Sequence, residues 1–211
     1  VTVKQQALDR IMIGWNGTSA AVATDRATNQ LLQDVNIGWL QHIRTDAPAH
    51  WMKEVVAASG AVTVGEGWDY ENLDALVMDV TENLIDEAAR DDTNLVVICG
   101  RALLADKYFS KVNRKQGAAD ELASDIIVSK KQIGGLEAVR VPFFPANALL
   151  VTTLDNLSIY YQEGKRRQQL VDNPKRDQIE NYESSNDAYV VEDYGITALV
   201  ENIVIKTTAA P

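Results

Sequence analysis

The chain has 211 residues, with 20 lysines and arginines against 30 aspartates and glutamates, for a formal net charge of −10. So acidic a surface repels phosphate backbones, which proteins grip with Lys and Arg, and this excludes bulk nucleic-acid binding while leaving room for a local patch. Apolar residues make up 46% and charged residues 24%, a balance that supports a buried core in one large domain or two small ones and excludes disorder by composition.

The first pattern is an amphipathic helix over 3–15, where Val3, Ala7, Leu8, Ile11, Met12 and Trp15 recur at spacings of three and four. The chain has no initiator methionine and begins inside this pattern, so it is expected to be a fragment. Small and polar residues over 16–30 predict a loop. Val35, Trp39 and Ile43 predict a short helix that ends before Pro48. The glycine-rich run "SGAVTVGEGWDY" at 59–70 predicts a loop or hairpin tip. Asp69 is the expected cap of a helix whose apolar stripe is Leu73, Leu76, Val77, Val80, Leu84 and Ile85. "LVVIC" at 95–99 predicts a short buried strand, its β-branched residues suited to a pleated core. Gly100 turns the chain into a predicted helix over 101–115, and "DELASDI" predicts another. The period then changes. "LEAVRVP", "ALLVTTL" and "LSIYY" predict strands, with turn residues such as Gly134, Gly135, Asp155 and Asn156 between elements. Extended runs at 187–194 and 196–206 follow, and the tail "TTAAP" is expected to fray. Helices come first and strands later, with no internal repeat, so the fold class is α+β.

Residue chemistry points to no catalytic centre. Cys99 is the single cysteine, so no disulfide can form within the chain, which reads as made in a reducing compartment. At the end of a strand it packs as a small hydrophobe rather than a nucleophile. His42 and His50 lack the convergent donors of a metal site. "CGRALL" has the strand–glycine–helix outline of a phosphate site but neither glycine-rich fingerprint, and "GEG" at 65–67 is too short to be one. Asp86, Glu87, Asp91 and Asp92 read as a solvated helix end, with acid/base work on a substrate beside Gly100 as the alternative. "NGT" and "NLS" match glycosylation acceptors but lack a secretory signal. No apolar run approaches the roughly 20 residues a membrane span needs.

One stretch stands out by charge. Lys165, Arg166, Arg167, Lys175 and Arg176 face only Asp172 between 165 and 176, whereas 177–193 holds Asp177, Glu180, Glu183, Asp187, Glu192 and Asp193 with no basic residue. A reversal along one element reads as pairing rather than as a grip on phosphate. "NPKR" can be the turn of a hairpin in which a basic strand, 165–172, faces an acidic strand, 177–184. Alternatively the basic residues meet Glu180, Glu183 and Asp187 on a neighbouring subunit. A duplex-DNA module built on 165–176 is the third reading.

Several long strings resemble one family. "NQLLQDVNIGWLQHIRTDAPAH", "LDALVMDVTENLID", "LVVICGRALLADKYF", "IGGLEAVRVPFFPANALLVTTLDNLSIYY" and "NPKRDQIENYESSNDAYVVEDYG" are similar, in order and over residues 1–206, to the gpN-type major capsid proteins of P-2-like temperate tailed phages. The resemblance implies the Hong Kong 97 (HK-97) capsid fold, with 46–163 as an A-domain, and 1–45 with 164–211 as a partial P-domain. It implies a structural subunit rather than an enzyme, with no cofactor and no metal. Its partners would be copies of itself in hexamers and pentamers, a scaffolding protein, a prohead protease and packaged double-stranded DNA bound without sequence preference, with no membrane. Its place would be the virion capsid, assembled in the bacterial host cytoplasm. Against the family pattern the chain lacks the N-terminal arm, the E-loop and most of the spine helix, so it is not expected to assemble shells by itself.

Overall fold

The structure is a computed structural model that describes residues 2–104 and 132–206. The predicted helical stretch over 105–115, the "DELASDI" helix and the tail 207–211 lie outside the described residues. Three helices precede most of the sheet: α1 (Thr2–Asn16), α2 (Trp39–Asp46) and α3 (Leu73–Leu84). Among the described residues the strands are β1 (Trp51–Met52), β2 (Val62–Val64), β3 (Val96–Cys99), β4 (Gln132–Ile133), β5 (Leu136–Val139), β6 (Leu149–Thr152), β7 (Leu157–Tyr161), β8 (Arg167–Asn173), β9 (Gln178–Ser184), β10 (Asp187–Val191), β11 (Ala198–Val200) and β12 (Ile203–Ile205). No helix among the described residues is long and apolar enough to cross a membrane.

A six-stranded mixed sheet, in the order β1-β11-β6-β3-β5-β4, forms the centre. β3 and β6 are buried along their whole length, which is what continuous runs of Val, Ile and Leu signal. Alternate residues feed two apolar layers. Val97, Cys99, Leu149, Val151, Ala198 and Val200 pack with the α3 stripe of Leu73, Leu76, Val77 and Val80. Val96, Ile98, Leu150 and Leu199 face the other way, onto Trp15 of α1 and Trp39, Leu40 and Ile43 of α2.

The second layer is aromatic. Trp15 lies 4.9 Å from Trp39 and 5.2 Å, edge-on, from Phe144, and Trp39 meets Tyr189 edge-on at 5.2 Å. Trp39 Nε1 donates to the Ser158 carbonyl at 2.9 Å. This crossing needs Gly14, because a Cβ there would stand 2.3 Å from the Trp39 ring. Arg44 at the end of α2 forks onto Glu201, at 2.9 and 2.6 Å, and ties the helix to the end of β11.

Three sequence expectations are corrected in detail. The cap of α3 is Asn72, whose side chain accepts from Ala75 N at 2.9 Å, and not Asp69. The Asp69 carboxylate is already committed to the amide and hydroxyl of Thr63. The run at 59–70 contains β2, which pairs in parallel with β12. The run at 196–206 is two strands in different sheets, because Asn202 takes a positive φ of 57° between them. β11 sits between β1 and β6 in the central sheet, so 198–200 belongs with 51–52 and 149–152.

Candidate assembly surface

β7 and β10 pair antiparallel against α2, and the two strands then run on as β8 and β9, seven residues each, into a hairpin. Gly164, at φ 71°, and the cross-links between Gln162 and Asn186 mark the joint between the two parts. Beyond the joint the hairpin is exposed on both faces, with Leu170, Ile179 and Tyr182 more than half accessible. Its tip is the turn 174–177, where Asp177 takes φ 50°. A two-stranded ribbon of this kind is marginal in water without a surface to lean on.

The basic residues occupy the two ends of the hairpin rather than one strand. Lys165 and Arg166 precede β8, Arg167 opens it opposite Ser184, and Lys175 and Arg176 lie in the turn. Among the described residues Arg166 is the one of the five that reaches a carboxylate, with Nη2 3.4 Å from Glu183 Oε2. Glu183 also accepts from Gln6 and Asn181, and these hydrogen bonds, Asn181 first and then Gln6 and Arg166, hold its carboxyl below the usual range. Glu180 faces Val171 and is held by Tyr182, Asn173 and Gln178, whose hydrogen bonds also lower its pKa. Asp187 turns away from the hairpin and takes Arg10 of α1 at 2.8 Å. Arg10 also donates to Ser185 at 3.2 Å, and the Tyr189 hydroxyl donates to the Arg10 carbonyl. These contacts close a groove of about 530 Å³ between α1 and the hairpin base.

Sequence reasoning missed Arg10 and Gln6 because both pair with residues 177 positions away. The usable signal was their place on the polar side of the α1 pattern. Elsewhere the predicted residues scatter. His42 faces Asp46 at 3.0 Å, and the His50 Nδ1–H donates to the Leu84 carbonyl. Cys99 is buried. Among the described residues the cleft beside it holds Arg101 and Arg140 and no carboxylate in its lining, while Asp92 lines a cleft at the opposite end of the sheet. Catalysis beside Gly100 by the 86–92 carboxylates is therefore not the geometry observed.

Comparison with known proteins follows the same lines. Residues 1–203 match the family model for the phage major capsid protein, P2 family. The chain is 52% identical over 214 residues to the "Capsid proteins" of Escherichia phage P2, covering 99% of this chain and 60% of that protein. It is 38% identical over 208 residues to the major capsid protein of Serratia phage KSP20, covering 95% of this chain and 59% of that protein. Among solved structures, a chain of the satellite phage P4 procapsid that includes the size determination (Sid) protein superposes with a TM-score of 0.89 at 51% identity, covering 97% of this chain and 62% of that one. The chain thus spans about three fifths of the length of these relatives.

Proposed function

Because this chain belongs to the P2 family of phage major capsid proteins and has their HK-97-like fold, we propose that it serves as the wall of an icosahedral shell, by self-association into hexamers and pentamers around double-stranded DNA. The observation that carries this reading is continuous similarity over residues 1–203 together with a TM-score of 0.89 to a procapsid chain. The A-domain of the shell subunit corresponds to 46–163 plus β11 and β12, which complete its sheets. The P-domain corresponds to α1 and the β8–β9 hairpin. Rings of five and six copies need two different patches on each subunit, and a ribbon with exposed cations at its ends suits such head-to-tail contact. In this reading Lys165, Arg167, Lys175 and Arg176 meet carboxylates of a neighbouring copy. An acidic wall lets packaged DNA slide rather than hold it. A scaffolding protein and a prohead protease are the further partners this role calls for.

The test is a chimera in which this chain replaces the matching segment of the Escherichia phage P2 capsid protein. Electron micrographs of the expressed chimera are expected to show closed shells. Soluble, folded chimera that forms none would refute the reading.

A further inference from the structure

The central sheet ends in two clefts of opposite charge. β3 and β5 are parallel, so both leave the sheet at the same end, with β6 entering there. At that end Arg101, Arg140, Pro142 and Phe143 line a cleft of about 510 Å³ whose lining, among the described residues, holds two arginines and no carboxylate. Both arginines are exposed, and among the described residues neither is ion-paired. Phe143 takes φ 63°, a conformation that costs energy in a residue other than glycine, and its ring is 38% exposed. The loop is nonetheless fixed: Asn16 Nδ2 donates to the Phe143 carbonyl at 2.9 Å, and the neighbouring Phe144 ring packs on Trp15. A strained backbone thus presents an aromatic ring to solvent between two exposed cations.

At the other end of the same strands Asp92, Glu137 and Asp155 line a cleft of about 580 Å³ with no lysine or arginine among the described residues of its lining. Beside them Leu154 is 54% exposed. The two clefts are separated by the four residues of β3, about 13 Å of strand at roughly 3.3 Å per residue.

We propose that the basic, aromatic cleft is a docking surface for the acidic end of a second copy of this chain, so that subunits join head to tail along the direction of the central sheet. The inference rests on the capsid-subunit reading and gives that self-association a named contact. Three features favour a second copy over a phosphate backbone. The cleft carries an exposed ring as well as charge. The complementary carboxylates and an exposed leucine sit on the same chain. They also sit at the opposite end, as a heterologous interface requires. Phe143 and Leu154 supply the apolar centre, and the charges around them set register and discourage wrong partners.

The experiment is sedimentation velocity on this chain at about 20 mM and about 300 mM salt, where screening lengths differ several-fold. Wild type is compared with Arg140→Glu and Asp155→Arg, both at exposed positions. Wild type is expected to associate at low salt. Each variant alone is expected to lose that association by at least about tenfold in Kd with its melting temperature unchanged. An equimolar mixture of the two is expected to recover it, because each supplies the end the other has lost. Arg101→Glu with Glu137→Arg repeats the swap, so that a folding defect in one variant does not stand in for the result. Variants that associate as wild type does, or a mixture that fails to recover, would overturn this contact and leave the capsid reading in place. Wild type that stays monomeric at ~1 mM in low salt overturns the contact as well, while the capsid reading stands or falls on the chimera. Retention of the chain by duplex DNA through Arg101 and Arg140, without self-association, would assign the cleft to phosphate instead.

Discussion

Among the described residues, Asn156 is predicted to be the most costly polar residue to truncate. It lies just after β6 and is 4% exposed. Its Nδ2 sits 3.0 Å from Thr152 Oγ1, 2.9 Å from Thr197 Oγ1 and 2.7 Å from the Asp193 carbonyl, and its Oδ1 accepts from Asp193 N at 2.7 Å. The amide therefore clamps the corner between β6 and β7 to the corner between β10 and β11. In Asn156→Ala the two threonine hydroxyls still have each other, at 3.5 Å, and the Asp193 carbonyl keeps Thr197. The Asp193 N–H loses its only recorded partner among the described residues. One orphaned donor costs about 1–3 kcal/mol and the lost bonds about 1 kcal/mol more, so a loss of about 3 kcal/mol is expected. For a chain of this size that lowers the melting temperature by roughly 6–12 °C. Urea unfolding followed by circular dichroism measures it, with Asp155→Asn as the exposed neighbour that should change little. A loss below about 1 kcal/mol would show that the amide is not the bridge described.

Gly14→Ala would push a methyl into the Trp39 ring and is expected to destabilise by about 1–3 kcal/mol, read by the same denaturation. Arg166→Glu should leave the melting temperature of the isolated chain nearly unchanged, because its pair with Glu183 is long and its own side chain is 71% exposed. A drop of several degrees would instead make that pair a prop of the hairpin. The Tyr189 hydroxyl is pushed up to about 12, chiefly by burial and then by the Asp187 charge. Its folded value is above the unfolded one, so its contribution is complete below pH 10 and is lost as pH rises towards 12, at about 1.4 kcal/mol per unit. Tyr189→Phe should flatten that alkaline slope in melting curves taken from pH 9 to 12, and an unaltered slope would place the titration elsewhere.

The sequence made the long, regular elements legible. The α3 stripe and the runs that became β3 and β6 announce themselves by period and by β-branching, and those elements build the centre. What stayed hidden depends on partners far away in the chain. β1 is two residues long and exists because β11 lies alongside it. Asp69 and Asn72 are both good caps, and the choice between them was made by the Thr63 hydroxyl. The split at Asn202 is a single backbone reversal inside an unbroken apolar run. The hairpin itself was readable from "NPKR" and its flanks. Its charges were not, since opposite signs on facing strands say nothing of register, and Asp187 found Arg10 instead. Arg101 and Arg140 are brought to one cleft only because β3 and β5 run parallel.

The central claim is that this chain forms the rings of a phage shell. The most direct measurement is native mass spectrometry of capsomers released from shells of the chimera with the Escherichia phage P2 capsid protein. The account predicts assemblies of five and of six copies. Release as monomers alone, or as closed assemblies of any other single size, would contradict it.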